Sequence, residues 1–123
     1  MKTNVVFRTY AVSKKWDCCK PSCASNEASV RNPVVSCSPD DIQIHNNSNV
    51  EDGCSGGDAF TCGFYQPWEE NDYVSNGFAT VRLPRKYDAD LCCMCFKLKF
   101  TSGPVVGKEM IKQVINTGDT VTE

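Results

Sequence analysis

Nine cysteines in 123 residues, three of them inside the eight-residue run Trp16-Asp17-Cys18-Cys19-Lys20-Pro21-Ser22-Cys23, constrain this chain more than any hydrophobic pattern does. Such density has two ordinary explanations, a disulfide framework in an oxidising compartment or a metal site. The spacing speaks against zinc. Paired C-x2-C knuckles are absent, the runs are C-C-x3-C and C-C-x-C, and the one histidine, His45, stands in a polar, Asn-rich stretch remote from both. No metal is expected, and His45 reads as an exposed loop residue. Because nine is odd, at least one thiol has no partner within the chain, which permits disulfide-linked dimers.

Disulfides imply an extracellular setting. The apolar run in Met1-Lys2-Thr3-Asn4-Val5-Val6-Phe7-Arg8 stops after three residues, too short for the core of a signal peptide. Asn46-Asn47-Ser48 is a glycosylation sequon and is consistent with export. No stretch approaches the ~20 apolar residues of a membrane span. The net charge of -2 comes without a basic run, so nucleic acid and anionic membranes are poor partners. The length allows one domain at most.

Within the cysteine run, adjacent residues of an extended backbone point to opposite sides. Cys18 and Cys19 would tie the segment in two directions and Cys23 in a third, which leaves Asp17 braced beside the indole of Trp16. A fixed carboxylate next to a flat apolar face suits sugar chemistry. A disulfide knot with Asp17 as an ordinary polar loop residue accounts for the spacing equally well.

Along the rest of the chain the pattern is mostly β. Residues 5–12 are β-branched and aromatic and read as a strand. Pro33-Val34-Val35 reads as a short strand, and Ser38-Pro39-Asp40-Asp41 as a helix start with Ser38 as cap. Residues 53–57 and 67–72 are turn clusters; Trp68 is expected to plug the second of them or the core, and Asn71-Asp72 to cap a helix. Residues 77–83 read as a strand and 84–90 as a charged loop. Cys95-Phe96-Lys97-Leu98-Lys99-Phe100 alternates apolar and cationic side chains, a half-buried strand with its lysines in solvent. Residues 110–115 form another strand after the Ser102-Gly103-Pro104 turn. Many short strands with Gly and Pro turns suggest a small barrel.

The run from Trp16 to Cys23 resembles the N-terminal signature of glycoside hydrolase family 45, the small secreted endoglucanases. Further segments resemble the family in family order: Asn32-Pro33-Val34-Val35-Ser36-Cys37, Gly53-Cys54 with Gly56-Gly57, Pro67-Trp68 with Asn71-Asp72, and Gly77-Phe78-Ala79. The block Cys92-Cys93-Met94-Cys95-Phe96 followed by Phe100-Thr101-Ser102-Gly103-Pro104-Val105-Val106-Gly107-Lys108 is the most specific. The resemblance implies a mainly β, disulfide-rich fold, a small six-stranded double-psi β-barrel incomplete on its C-terminal side. It also implies residues 1–12 as an N-terminal extension or first strand and 13–123 as the catalytic-type domain.

For chemistry, the resemblance implies inverting hydrolysis of internal bonds in cellulose or a related β-glucan by a secreted monomer without a cofactor. Asp17 would be the general base, Asp119 the assisting loop aspartate, and Ser13 and Trp16 substrate-binding residues. The family's general acid lies in a His-Phe-Asp segment that this sequence lacks, since Thr117-Gly118-Asp119 is followed only by residues 120–123. Family pairing implies Cys19 with Cys54, Cys23 with Cys92 and Cys37 with Cys62, leaving Cys18, Cys93 and Cys95 for cysteines beyond residue 123. The sequence is accordingly expected to be the N-terminal part of a longer enzyme. Two departures touch the site: Lys15 stands where the family has a phenol, and Ala24-Ser25 where it has glycine and often an aromatic ring. The rival functions are an expansin-like carbohydrate binder without turnover, and a disulfide-rich interaction protein that has lost sugar binding.

Overall fold

The computed structural model describes residues 3–4, 17–25, 31–45, 49–82 and 88–118. The strand expected over 5–12, the sequon, and the site candidates Ser13, Trp16 and Asp119 lie outside the described residues. The regular elements are β1 (Thr3–Asn4), β2 (Trp68–Glu69), β3 (Val74–Val81), a single helical turn α1 (Asp88–Leu91), β4 (Cys95–Lys99) and β5 (Glu109–Thr117). They make one mixed sheet in the order β1-β4-β5-β3-β2, with β1/β4 and β3/β5 parallel and β4/β5 and β2/β3 antiparallel. Among the described residues the sheet is open, with β1 and β2 at its edges.

The alternation in β4 sets its two faces. Phe96 is buried and Leu98 half-buried on one face, while on the other Lys97 and Lys99 are exposed and Cys95 alone is buried; Lys97 pairs in register with Ile111 and Lys99 with Glu109. Gly103 and Gly107, both at φ 85, make the reversal into β5. L-residues disfavour that left-handed region, so glycine is the residue that closes such a turn. Between β3 and β5 the register jumps from Ala79↔Val114 to Thr80↔Asn116, leaving Ile115 as the extra residue of a bulge. Val114 and Ile115 are consequently both buried, although they are neighbours.

Among the described residues the core is small: Cys23, Leu91, Cys92, Phe96 and Val114, with Val34, Val81 and Met94 packed against it. Each large apolar side chain so buried stabilises by about 1.5–3 kcal/mol. Residues expected as charged loop before Cys92 end instead in α1, whose last residue, Leu91, is fully buried.

Among the described residues, the segment from 31 to 67 has no regular strand, contrary to the expectation at 33–35. Val34 donates its amide to the Cys23 carbonyl, and Cys37 makes isolated bridges to Phe60 and Gln43. No helix starts at Ser38 either. Asp41 N–H returns to the Ser38 carbonyl, Ile42 N–H reaches Ser38 Oγ at 3.3 Å, and Asp41 takes a φ of 63 that ends the turn. Asn71 likewise caps a turn rather than a helix: its Oδ1 accepts from Tyr73 N and Val74 N at 2.8 and 2.9 Å. Trp68, expected as a plug, is 51% exposed on edge strand β2, with its ring 6.0 Å from Phe78.

Disulfides do the work that ladders do elsewhere. Cys19–Cys54 and Cys37–Cys62 close the loop region on itself, and Cys23–Cys92 joins it to the sheet. Phe60 bridges both Cys19 and Cys37, and its ring lies where a Cβ on Gly53 would come within 2.1 Å. Only glycine permits that approach.

Candidate active site

Asp17 stands exposed at the start of the braced segment, its Oδ1 accepting from Cys19 N–H at 3.2 Å. It lines a groove of about 670 Å³ shared with Lys20, Ser22, Glu51, Asp52 and Asn116. Two strands of hydrogen bonding fix the walls. On one side, Lys20 N–H donates to Asp52 Oδ1 at 2.9 Å and Lys20 Nζ to the Val50 carbonyl at 2.8 Å. Asp52 Oδ1 also accepts from Cys54 N–H at 3.0 Å and caps the 3₁₀ turn Gly53–Ser55. On the other side, Ser22 N–H donates to Asn116 Oδ1 at 2.8 Å, Thr117 N–H to Ser22 Oγ at 2.8 Å, and Asn116 Nδ2 to Thr80 Oγ1 at 3.2 Å.

These bonds explain how the loop comes to lie against the sheet. The bulge at Ile115 shifts the alternation of β5 by one, and Asn116 and Thr117 then meet the 3₁₀ turn Ser22–Ala24. Burial pushes the Lys20 ammonium below its ordinary pKa, against a smaller pull upward from Asp52. Its role is structural, a strap from the Asp17 segment to residues 50–52.

Of the residues singled out from sequence, Asp17 is placed in the groove, whereas Ser13, Trp16 and Asp119 lie outside the described residues. Glu51, Asp52 and Asn116 escaped sequence reading. Asp52 had a signal, an acidic residue directly before Gly53-Cys54 where a turn must be capped. Asn116 had none, because its place depends on a one-residue bulge.

Among the described residues two groups have metal-like composition, Cys19 with Asp52 and Cys54, and Cys37 with Asp41 and Cys62. In each the two sulfurs are joined as a disulfide and offer no thiolate. Thiols remain at Cys18, which is exposed, and at Cys93 and Cys95.

A solved structure of a cellulase from the Antarctic springtail Cryptopygus antarcticus superposes with a TM-score of 0.81 at 35% identity, covering 90% of this chain and 54% of that one. Among curated proteins, an endoglucanase type K of Fusarium oxysporum is 45% identical over 108 residues, 86% of this chain and 28% of its own length. An endoglucanase of Phaedon cochleariae is 38% identical over 109 residues, 86% of this chain and 44% of its own length. The chain thus spans between about a quarter and about half the length of the relatives it matches. The family profile described as glycosyl hydrolase family 45 matches residues 10–123, and to that family the chain belongs.

Proposed function

We propose that this chain forms the substrate groove of an endo-β-1,4-glucanase that cuts internal bonds of cellulose or a related β-glucan with inversion, Asp17 acting as general base. One observation carries the reading: an exposed carboxylate on the wall of a groove whose backbone is fixed by a disulfide and by Lys20 and Asp52. In the reaction a water in the groove gives a proton to Asp17 as its oxygen attacks the anomeric carbon. The bond from that carbon to the leaving oxygen breaks, and a second carboxyl group protonates the leaving oxygen. Carboxyls ~6.5–9.5 Å apart leave room for the water. Asp119 assists without donating the proton, and Ser13 and Trp16 bind the sugar beside Asp17.

The same reading places the five strands in a six-stranded double-psi β-barrel, with residues 13–123 as the catalytic-type domain after an extension at 1–12. The parallel pairing of β3 with β5, with β4 on the far side of β5, supports a crossed rather than meandering path. The protein would act outside the cell as a monomer, on polysaccharide and not on nucleic acid or membrane; the names of its endoglucanase relatives support the polysaccharide alone.

The test is release of reducing ends from a soluble cellulose derivative, comparing the protein with Asp17→Ala at matched disulfide content. The variant should lose about 10²- to 10⁴-fold in rate, the usual contribution of a positioned general base. Undiminished turnover in the variant would remove Asp17 from the chemistry. Cellulose binding by the unmodified protein without any reducing-end release would move the reading to an expansin-like binder.

A further inference from the structure

We propose that Glu51 makes the groove selective for neutral β-glucan chains over anionic ones. The inference rests on reading the groove as a glucan site and concerns a residue that reading does not use.

Glu51 is fixed in place by its backbone. Its carbonyl accepts from Ala59 N–H at 3.1 Å, and a Cβ on Gly57 would come within 2.1 Å of that same oxygen, so the two stretches of main chain pack directly together. The residues on either side are strapped to the Asp17 segment, Val50 through Lys20 Nζ and Asp52 through Lys20 N–H. Three residues on, the Cys19–Cys54 disulfide holds the two segments at a Cα–Cα distance of 5.4 Å. Glu51 and Asp17 therefore keep a fixed relation within one groove.

The groove's charges are unequal. Among the described residues its charged lining is Asp17, Glu51 and Asp52 against Lys20, whose Nζ is turned to the Val50 carbonyl. Asp52 Oδ1 is committed to two backbone amides. The Glu51 carboxylate is exposed and makes no hydrogen bond or ion pair among the described residues. An ionised carboxylate is an acceptor only, so it suits the hydroxyl donors of an uncharged sugar and repels a sugar carrying its own carboxylate. Like charges confined in a cleft reinforce one another, and salt weakens the effect.

The experiment measures kcat/KM and equilibrium binding for hydroxyethyl cellulose and carboxymethyl cellulose of matched chain length, at low and high ionic strength. At low salt the protein should favour the neutral polymer, and Glu51→Gln should narrow the preference by about twofold to fivefold, the scale of an exposed charge pair. At high salt the two proteins should converge. An equal ratio in both proteins at low salt overturns the proposal, as does a difference that survives high salt.

Asp17→Ala separates this from the proposed function. If it abolishes turnover and Glu51→Gln still narrows the binding preference when added to it, both readings stand. If Asp17→Ala turns over normally while Glu51→Gln still narrows the binding ratio, selectivity stands and the base assignment falls. Failure of the unmodified protein to bind either polymer overturns both.

Discussion

Residues 17–25 and 49–62 carry the groove with two 3₁₀ turns and isolated bridges, whereas residues 74–82 and 88–117 carry a bulged sheet with a buried face. The loop half holds its shape through disulfides and through side chains bonded to backbone, as at Asp52, Lys20 and Thr61, whose Oγ1 donates to the Cys19 carbonyl at 2.6 Å. The sheet half holds its shape through ladders and through Leu91, Phe96 and Val114. What this teaches is a division of labour. An open groove needs exposed polar walls that contribute little burial, and covalent ties supply the rigidity that burial cannot.

Cutting the tie between the halves is the strongest way to break the comparison. Cys23–Cys92 spans 69 residues and lies in the core, and the double variant Cys23→Ala/Cys92→Ala should destabilise by about 4 kcal/mol through loop entropy alone. Opening Cys37–Cys62, with a span of 25, should cost about 3.5 kcal/mol. Urea unfolding at matched oxidation of the remaining cysteines reads the difference. Equal loss of stability and unchanged protection of the loop amides to exchange in both variants would mean that the halves do not depend on the bridge between them.

Legibility from sequence followed the same line. In the sheet, local signals agree with the outcome: the alternation in 95–99 and the β-branched residues of β3 and β5 produce strands because a buried face rewards those patterns. The loop half obeys constraints that no window of sequence contains. Val34 and Val35 have strand propensity, yet their backbone is drawn to Cys23 and to the side chain of Tyr65, which donates to the Val35 carbonyl at 3.0 Å. Ser38 is a competent cap, but the left-handed Asp41 turns the cap into the closure of a loop. Asp17 was legible as a candidate because its motif is contiguous. Glu51 and Asn116 join it only through a disulfide and a bulge, and neither can be read from spacing.

Raising the pH should sharpen the comparison at its seam. Burial pushes the Cys93 and Cys95 thiols above their ordinary value of 9.0 and the Tyr65 hydroxyl above 10.0, the latter partly offset by its bond to the Val35 carbonyl. Each is an acid whose folded pKa is raised, so its protonated form is favoured in the folded state. The stability it contributes is full below the ordinary value and is lost as pH rises through the raised one. Melting temperature should therefore fall above about pH 9, and Cys93→Ser should make that fall shallower. An identical alkaline slope in the variant would show that Cys93 takes no part.

The smallest effect belongs to the sheet's outer face. Lys97 Nζ meets Glu109 Oε2 at 2.8 Å across β4 and β5, but the side chains are 47% and 26% exposed. Solvent screens such a pair, and ordering two long side chains offsets much of the attraction. Lys97→Met should lower stability by no more than about 0.5 kcal/mol, and added salt should erase even that. A loss several times larger that persists in high salt would mean that the ladder between β4 and β5 leans on its surface charges. The sheet would then resemble the loop half, whose shape depends on individual side-chain ties rather than on a buried face.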